Sequence, residues 1–204
     1  MMHGSKQSLR GRLRPARRWL IGGALLGIGA LVGLGAVKTT ASVDPNLHLE
    51  AALAARRLYV ASGDDTIGSY PIAVGKDSKP TPAGNYRIRK IVWNPAWIPP
   101  DEKWAKGKTP EAPGSKKNPM KLVKIFFKEP DYYIHGTSEV ESLGDAASHG
   151  CLRMAPDDAY TVARYLMEHG GQPRDESWFW RVLHFRSESQ TVYLDHPIPI
   201  AIRY

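Results

Sequence analysis

Nineteen consecutive residues without a charge, Trp19–Val37, divide this chain before any finer pattern is considered. As a helix they would reach about 28 Å, close to the hydrocarbon thickness of a bilayer. Arg17 and Arg18 stand immediately before the run, and no comparable basic flank follows it. That asymmetry places residues 1–18 in the cytoplasm and sends everything from about Thr39 outward. Residues 19–37 read as a signal-anchor held in the inner membrane or as a cleaved signal peptide. The length of the run favours the anchor, and Leu34-Gly-Ala36 and Thr39-Thr-Ala41 are weak cleavage signals. Either way the remainder of the chain is expected in the cell envelope, periplasmic or extracytoplasmic.

The charge follows the same division. The chain carries a formal +8, but Lys6, Arg10, Arg12, Arg14, Arg17, Arg18 and Lys38 have no acid among them. The rest of the chain is therefore close to neutral, which leaves no basic patch for nucleic acid.

Residues 38–55 read as a linker that runs into a short helix, with Asp44 before Pro45 as its start. From Arg57 onward the texture is that of short strands: Leu58–Ala61, Ser69–Val74, Asn85–Val92, Leu122–Phe127 and Tyr132–Ile134. Turn signals separate them, at Gly63-Asp-Asp, across Gly75–Gly84 and at Gly114–Pro119. The stretch 93–119 is long and rich in Pro and Lys, and it carries Trp93, Trp97 and Trp104. It is expected as a docked loop, either a lid over a substrate or simple surface packing.

One helix is well marked. Ala155-Pro-Asp-Asp158 supplies a proline and two acids for a first turn, and Ala159, Val162, Ala163, Leu166 and Met167 share a face. Gly170-Gly171 ends it. The tail is expected to return to strands at Trp178–Phe185, Gln190–Leu194 and Ile198–Tyr204. The expected fold is mainly β, sandwich-like or barrel-like, with one or two helices.

Chemistry gathers around the one cysteine, Cys151, so no intramolecular disulfide can form. A lone thiol in an exported chain is a buried spare, an intermolecular partner or a nucleophile, and its spacing does not choose among these. A thiol needs a base to become a nucleophile at neutral pH. His135, at the end of an expected strand, and His149, two residues before the cysteine, could each supply one. A glycine-flanked turn at Cys151 could offer backbone N–H groups to an oxyanion, and Arg153 is a fixed cation suited to a carboxylate. The Cys and His spacings of a tetrahedral zinc site are absent, so no metal is expected.

The segments Tyr133-Ile-His-Gly-Thr137 and Ser148-His-Gly-Cys-Leu-Arg153 resemble the two signature blocks of the L,D-transpeptidase catalytic domain. Arg57–Val60, Tyr70–Gly75, Thr81–Tyr86, Trp97–Pro100 and Gly114–Pro119 are similar to that family in the same order. The resemblance covers about residues 56–204, which it implies are the catalytic domain. It implies Cys151 as nucleophile and His135 as base, with the Gly136 carbonyl orienting His135. His149 and Gly150 would shape the turn beside the oxyanion, and Ser148 and Arg153 would support the site or hold a substrate carboxylate.

The implied reaction is acyl transfer on peptidoglycan stem peptides, without cofactor. The implied acceptor is an amine of a second stem, a lipoprotein lysine, a free D-amino acid or water. A hydrolytic carboxypeptidase or amidase and a non-catalytic peptidoglycan-binding module are the alternatives. A papain-like protease is disfavoured because His135 precedes Cys151. In one place the chain departs from the family: Lys121 follows Met120, where glycine is common soon after the Asn-Pro step. That departure bears on the loop geometry and not on the chemistry.

Overall fold

The computed structural model describes residues 42–184 and 187–204. The expectations for residues 1–18 and 19–37 lie outside these.

Ten strands and two helices make up the described chain. The strands are β1 (Leu47–Ala52), β2 (Arg57–Ser62), β3 (Asp65–Pro71), β4 (Val74–Gly75), β5 (Gly84–Trp93), β6 (Val123–Lys128), β7 (Tyr132–Gly136), β8 (Ala146–Ser148), β9 (Leu152–Met154) and β10 (Gln190–Arg203). The helices are α1 (Pro156–His169) and α2 (Glu176–His184). Eight strands form one sheet in the order β3-β2-β1-β10-β5-β6-β7-β9. Its two end strands are drawn together. Just past β3, Ala73 exchanges both backbone hydrogen bonds with Arg153 of β9, at 3.0 and 2.9 Å. Beside this bridge β4 pairs in parallel with β8. The fold is mainly β and barrel-like, the closure resting on these contacts between the sheet's two ends.

Leu47, Leu49 and Ala51 of β1 are buried while Glu50 is exposed, and Leu58 and Val60 of β2 repeat the alternation. In β10 the alternation is interrupted once. Val192 and Leu194 are buried, then Ile198, Ile200 and Ile202, and the register against β5 shifts between Tyr193 and Ile198. The interruption lets one strand of 14 residues keep its apolar side inward on both sides of a bulge.

Trp93 joins sheet to helices. It is fully buried at the end of β5, and its indole N–H points at the Met167 sulfur of α1 across 3.0 Å. Tyr160 of α1 and Phe179 of α2 meet it edge-on, with centroids 5.5 and 5.0 Å away. On α1 the buried residues are the expected Ala159, Val162, Ala163, Leu166 and Met167. The three larger side chains each contribute roughly 1.5–3 kcal/mol by leaving water.

Three expectations are corrected. Within the expected linker 38–55, the described residues 42–55 do not form a short helix: they contain β1, which lies between β2 and β10 inside the sheet, and residues 38–41 lie outside the described residues. In the run Leu-His-Leu-Glu-Ala-Ala every second residue from Leu47 to Ala51 is buried, and sheet neighbours on both sides outweigh the helix preference of its alanines. Nor is Trp178–His184 a strand, because α2 occupies it; Phe185, the last residue of that expected strand, lies outside the described residues. Asp175 caps that helix by accepting the Trp178 N–H at 2.7 Å, and Phe179 and Val182 are buried one turn apart. Finally, the two expected tail strands are the single strand β10.

Candidate active site

β6 and β7 are antiparallel, with Lys124 opposite His135; β7 and β9 are parallel, with His135 beside Arg153. The three side chains therefore form one row across three strands, with a cation on each side of the imidazole. Cys151 immediately precedes β9. His135, Ser148, His149, Cys151 and Arg153 all line one cavity of about 520 Å³.

The turn that carries Cys151 is tightly specified. Ser148 is buried, and its hydroxyl donates to the Cys151 carbonyl at 2.5 Å while accepting the Gly150 N–H at 3.0 Å. Gly150 has φ +110°, and a Cβ there would stand 2.8 Å from the Tyr132 ring. Conformation and space both require glycine. The Gly150 N–H, expected near an oxyanion, is occupied by Ser148.

His135 Nδ1 lies 2.7 Å from the Gly136 carbonyl oxygen, which makes Nδ1 the donor and leaves the lone pair on Nε2. Burial pushes the imidazole pKa down to about 3; the Gly136 and Pro119 carbonyls oppose this, while Arg153 and Lys124 reinforce it. Burial also pushes the Cys151 thiol up to about 11, against the Tyr133 N–H, Lys124, Arg153 and the Tyr133 hydroxyl. Its sulfur faces the Asp131 carbonyl at 3.5 Å. At neutral pH both groups are thus uncharged: a thiol and an imidazole whose free nitrogen can accept a proton.

Of the expected loop 93–119, Trp93 belongs to β5 and the core, and the remainder forms one wall of this cavity. Trp104 stacks on His149 with centroids 4.0 Å apart and planes at 12°. Glu102 accepts the Trp104 indole N–H at 3.0 Å and pairs with Lys79 at 2.7 Å. Lys108 lies over the Trp104 ring at 5.1 Å. Arg153 is paired with Glu139 at 2.7 Å. Gly136 is closed in by Lys121 and Pro156, which a Cβ would meet at 3.1 and 3.2 Å. Lys121 itself has φ +54°, so lysine here occupies the left-handed conformation that glycine takes most easily. Among the described residues no group of three or more His, Cys, Asp or Glu is placed to hold a metal ion.

Sequence reasoning gave no role to Tyr133, Lys124 or Glu139. A signal for Lys124 was present: it is a cation flanked on both sides by apolar residues in the expected strand Leu122–Phe127, and a β6–β7 hairpin sets it opposite His135.

The family model for the L,D-transpeptidase catalytic domain matches residues 46–175. The chain belongs to this family. The match begins ten residues before the expected boundary at 56 and takes in β1. ErfK/SrfK of Salmonella typhimurium, which carries the L,D-transpeptidase name, is 32% identical over 121 residues, covering 56% of this chain and 38% of that protein. YkuD of Bacillus subtilis, named likewise, is 28% identical over 116 residues, covering 57% and 58%. The chain thus spans less than two thirds of either relative. Among solved structures, an L,D-transpeptidase from Mycobacterium smegmatis aligns with TM-score 0.49 and 16% identity, over 78% of this chain and 59% of that one.

Proposed function

We propose that the chain is a cysteine acyltransferase of peptidoglycan, an L,D-transpeptidase, with Cys151 as nucleophile and His135 as general base. Membership of the family supports the reaction class. The observation that carries the assignment of roles is the shared cavity in which His135, its Nδ1 held by the Gly136 carbonyl, and Cys151 both lie.

The first half-reaction begins from the neutral pair. As the Cys151 sulfur bonds to the carbonyl carbon of the third residue of a tetrapeptide stem, its proton passes to His135 Nε2. The Cys151 N–H stabilises the oxyanion, since the Gly150 N–H is held by Ser148. Collapse breaks the C–N bond, His135 returns the proton to the departing nitrogen, and D-Ala leaves a thioester. In the second half-reaction an amine of another stem attacks the thioester carbonyl, its proton goes to His135, and the thiol is regenerated. A lipoprotein lysine would enter by the same route. Arg153 supports the rim through Glu139, and Ser148 holds the turn. The reaction needs no cofactor. We place the domain in the cell envelope, anchored in the inner membrane by residues 19–37 or released by cleavage after them.

The test is product analysis with a purified tetrapeptide-containing substrate. Release of D-Ala together with 3→3 dimers, both abolished in Cys151→Ala, is the expected result. Tripeptide without dimers would replace transpeptidation with hydrolysis.

A further inference from the structure

Four cations line the Cys151 cavity: Lys79, Lys108, Lys124 and Arg153. Lys79 is paired with Glu102 and Arg153 with Glu139, each at 2.7 Å. Lys108 lies on the aromatic faces of Trp97 and Trp104. Lys124 is different. It is half-buried on β6, directly across the ladder from His135. Its ammonium donates to the Ala96 carbonyl at 3.1 Å and lies 4.9 Å from the Tyr133 ring, and it has no carboxylate partner among the described residues. Burial draws its pKa down, and the charges that act on it are those of Cys151 and Lys90; Lys90 is itself paired with Glu129.

An ammonium has three hydrogens, and Ala96 takes one. A cation that lines the same cavity as Cys151 and has no carboxylate beside it in a half-buried place is unfavourable unless an anion arrives to meet it. The proposed donor brings one. Its leaving residue carries a carboxylate on the carbon bonded to the scissile nitrogen. Standard bond lengths put that carboxylate within about 4 Å of the carbon that Cys151 attacks.

We propose that Lys124 is a specificity-determining residue whose ammonium receives the free carboxylate of the leaving D-amino acid. This rests on the transpeptidase reading and sharpens it. The carboxylate stays with the leaving residue when the C–N bond breaks, so Lys124 changes neither bond nor proton count. An extended or amidated stem presents no charge at this position and leaves the ammonium unmatched.

The experiment compares two tetrapeptide donors, one ending in the free acid and one in the amide, with the full chain and its Lys124→Met, Lys124→Gln and Lys124→Arg variants. Wild type is expected to favour the free acid by roughly tenfold or more in kcat/KM, the worth of one hydrogen bond to a charged group. Lys124→Met and Lys124→Gln are expected to bring that ratio to about one by raising KM for the free acid, while any change in kcat from losing the charge beside Cys151 is shared by both donors and leaves the ratio alone. Lys124→Arg should keep part of it. The amide donor reports in the same preparation that each variant is folded and reactive. An unchanged ratio in Lys124→Met, or an equal fall for both donors, overturns the proposal; the latter would make Lys124 a group acting only on Cys151. Alkylation of Cys151 by iodoacetate relative to iodoacetamide reads the same cation without any transpeptidase chemistry, and the ratio should fall in Lys124→Met and hold in Lys124→Arg. If wild type consumes neither donor, the proposed function fails, and the alkylation ratio alone decides whether Lys124 receives anions.

Discussion

Trp104 lies flat against His149, 4.0 Å between ring centroids and 12° from parallel, so the loop 93–119 is fastened two residues from Cys151. An aromatic pair of this kind contributes about 0.5–1.5 kcal/mol beyond the area it covers. Trp104→Ala is expected to loosen the cavity wall and leave the sheet intact. Stopped-flow acylation should show a KM raised roughly tenfold with kcat changed less, and the melting temperature should stay within a few degrees. A lowered kcat at unchanged KM would contradict the role of Trp104 as a binding wall.

The neutral resting pair has a consequence for stability against pH. His135 titrates near 3 in the native state and near 6.5 when unfolded. Below 6.5 the unfolded chain binds a proton that the native chain refuses, so stability falls as pH drops from about 6.5 toward 3, by up to about 1.4 kcal/mol per pH unit. Replacement by Asn removes this dependence. Urea titrations at pH 7 and pH 5 should show a smaller acid loss in His135→Asn than in wild type, and equal losses would contradict the burial assigned to the ring. Cys151 acts at the other end: its thiol, raised to about 11, stays protonated where the unfolded thiol ionises. Stability therefore falls as pH rises from about 8.5 to 11, and Cys151→Ala should flatten that limb.

Lys121 is expected to be replaceable by glycine with a gain. Its φ of +54° costs a non-glycine residue about 1–2 kcal/mol, partly offset by the greater freedom of unfolded glycine. Lys121→Gly should therefore raise the urea midpoint, by up to about 1 kcal/mol in unfolding free energy. A β-branched residue at this position should lower it. The departure from the family pattern noted in the sequence thus leaves the local backbone path as glycine would have it.

Ser148→Ala should cost about 1–3 kcal/mol, because it leaves the buried Gly150 N–H and the Cys151 carbonyl without their shared partner. Its acylation rate should fall further than its stability does, since the hydroxyl sets where the sulfur points. Parallel measurement of unfolding free energy and acylation rate separates the two effects. A stable variant that acylates at the wild-type rate would show that the turn holds its shape without Ser148.

Much of this was legible along the chain, and the omissions have physical causes. The alternation in Leu58–Val60 and the face shared by Ala159, Val162, Leu166 and Met167 are local patterns, and local patterns survive folding. Leu47–Ala52 was misread because alanine and leucine suit either a helix or a strand, and the deciding partners, β2 and β10, are supplied by distant sequence. Trp178–His184 was misread because its aromatic content outweighed the capping offered by Asp175. The two signature blocks named Cys151, His135, Ser148 and Arg153 directly. Tyr133, Lys124 and Glu139 escaped because their proximity to Cys151 arises from sheet register and from a loop that returns to the rim, and single-residue spacing records neither.

The central claim is that Cys151 is acylated with His135 as its base, and intact-protein mass spectrometry after incubation with a tetrapeptide donor or a carbapenem tests it most directly. The expected result is a single covalent adduct on wild-type protein, absent in Cys151→Ala and strongly slowed in His135→Asn. An unmodified wild-type protein, or an adduct that persists in Cys151→Ala, would contradict it.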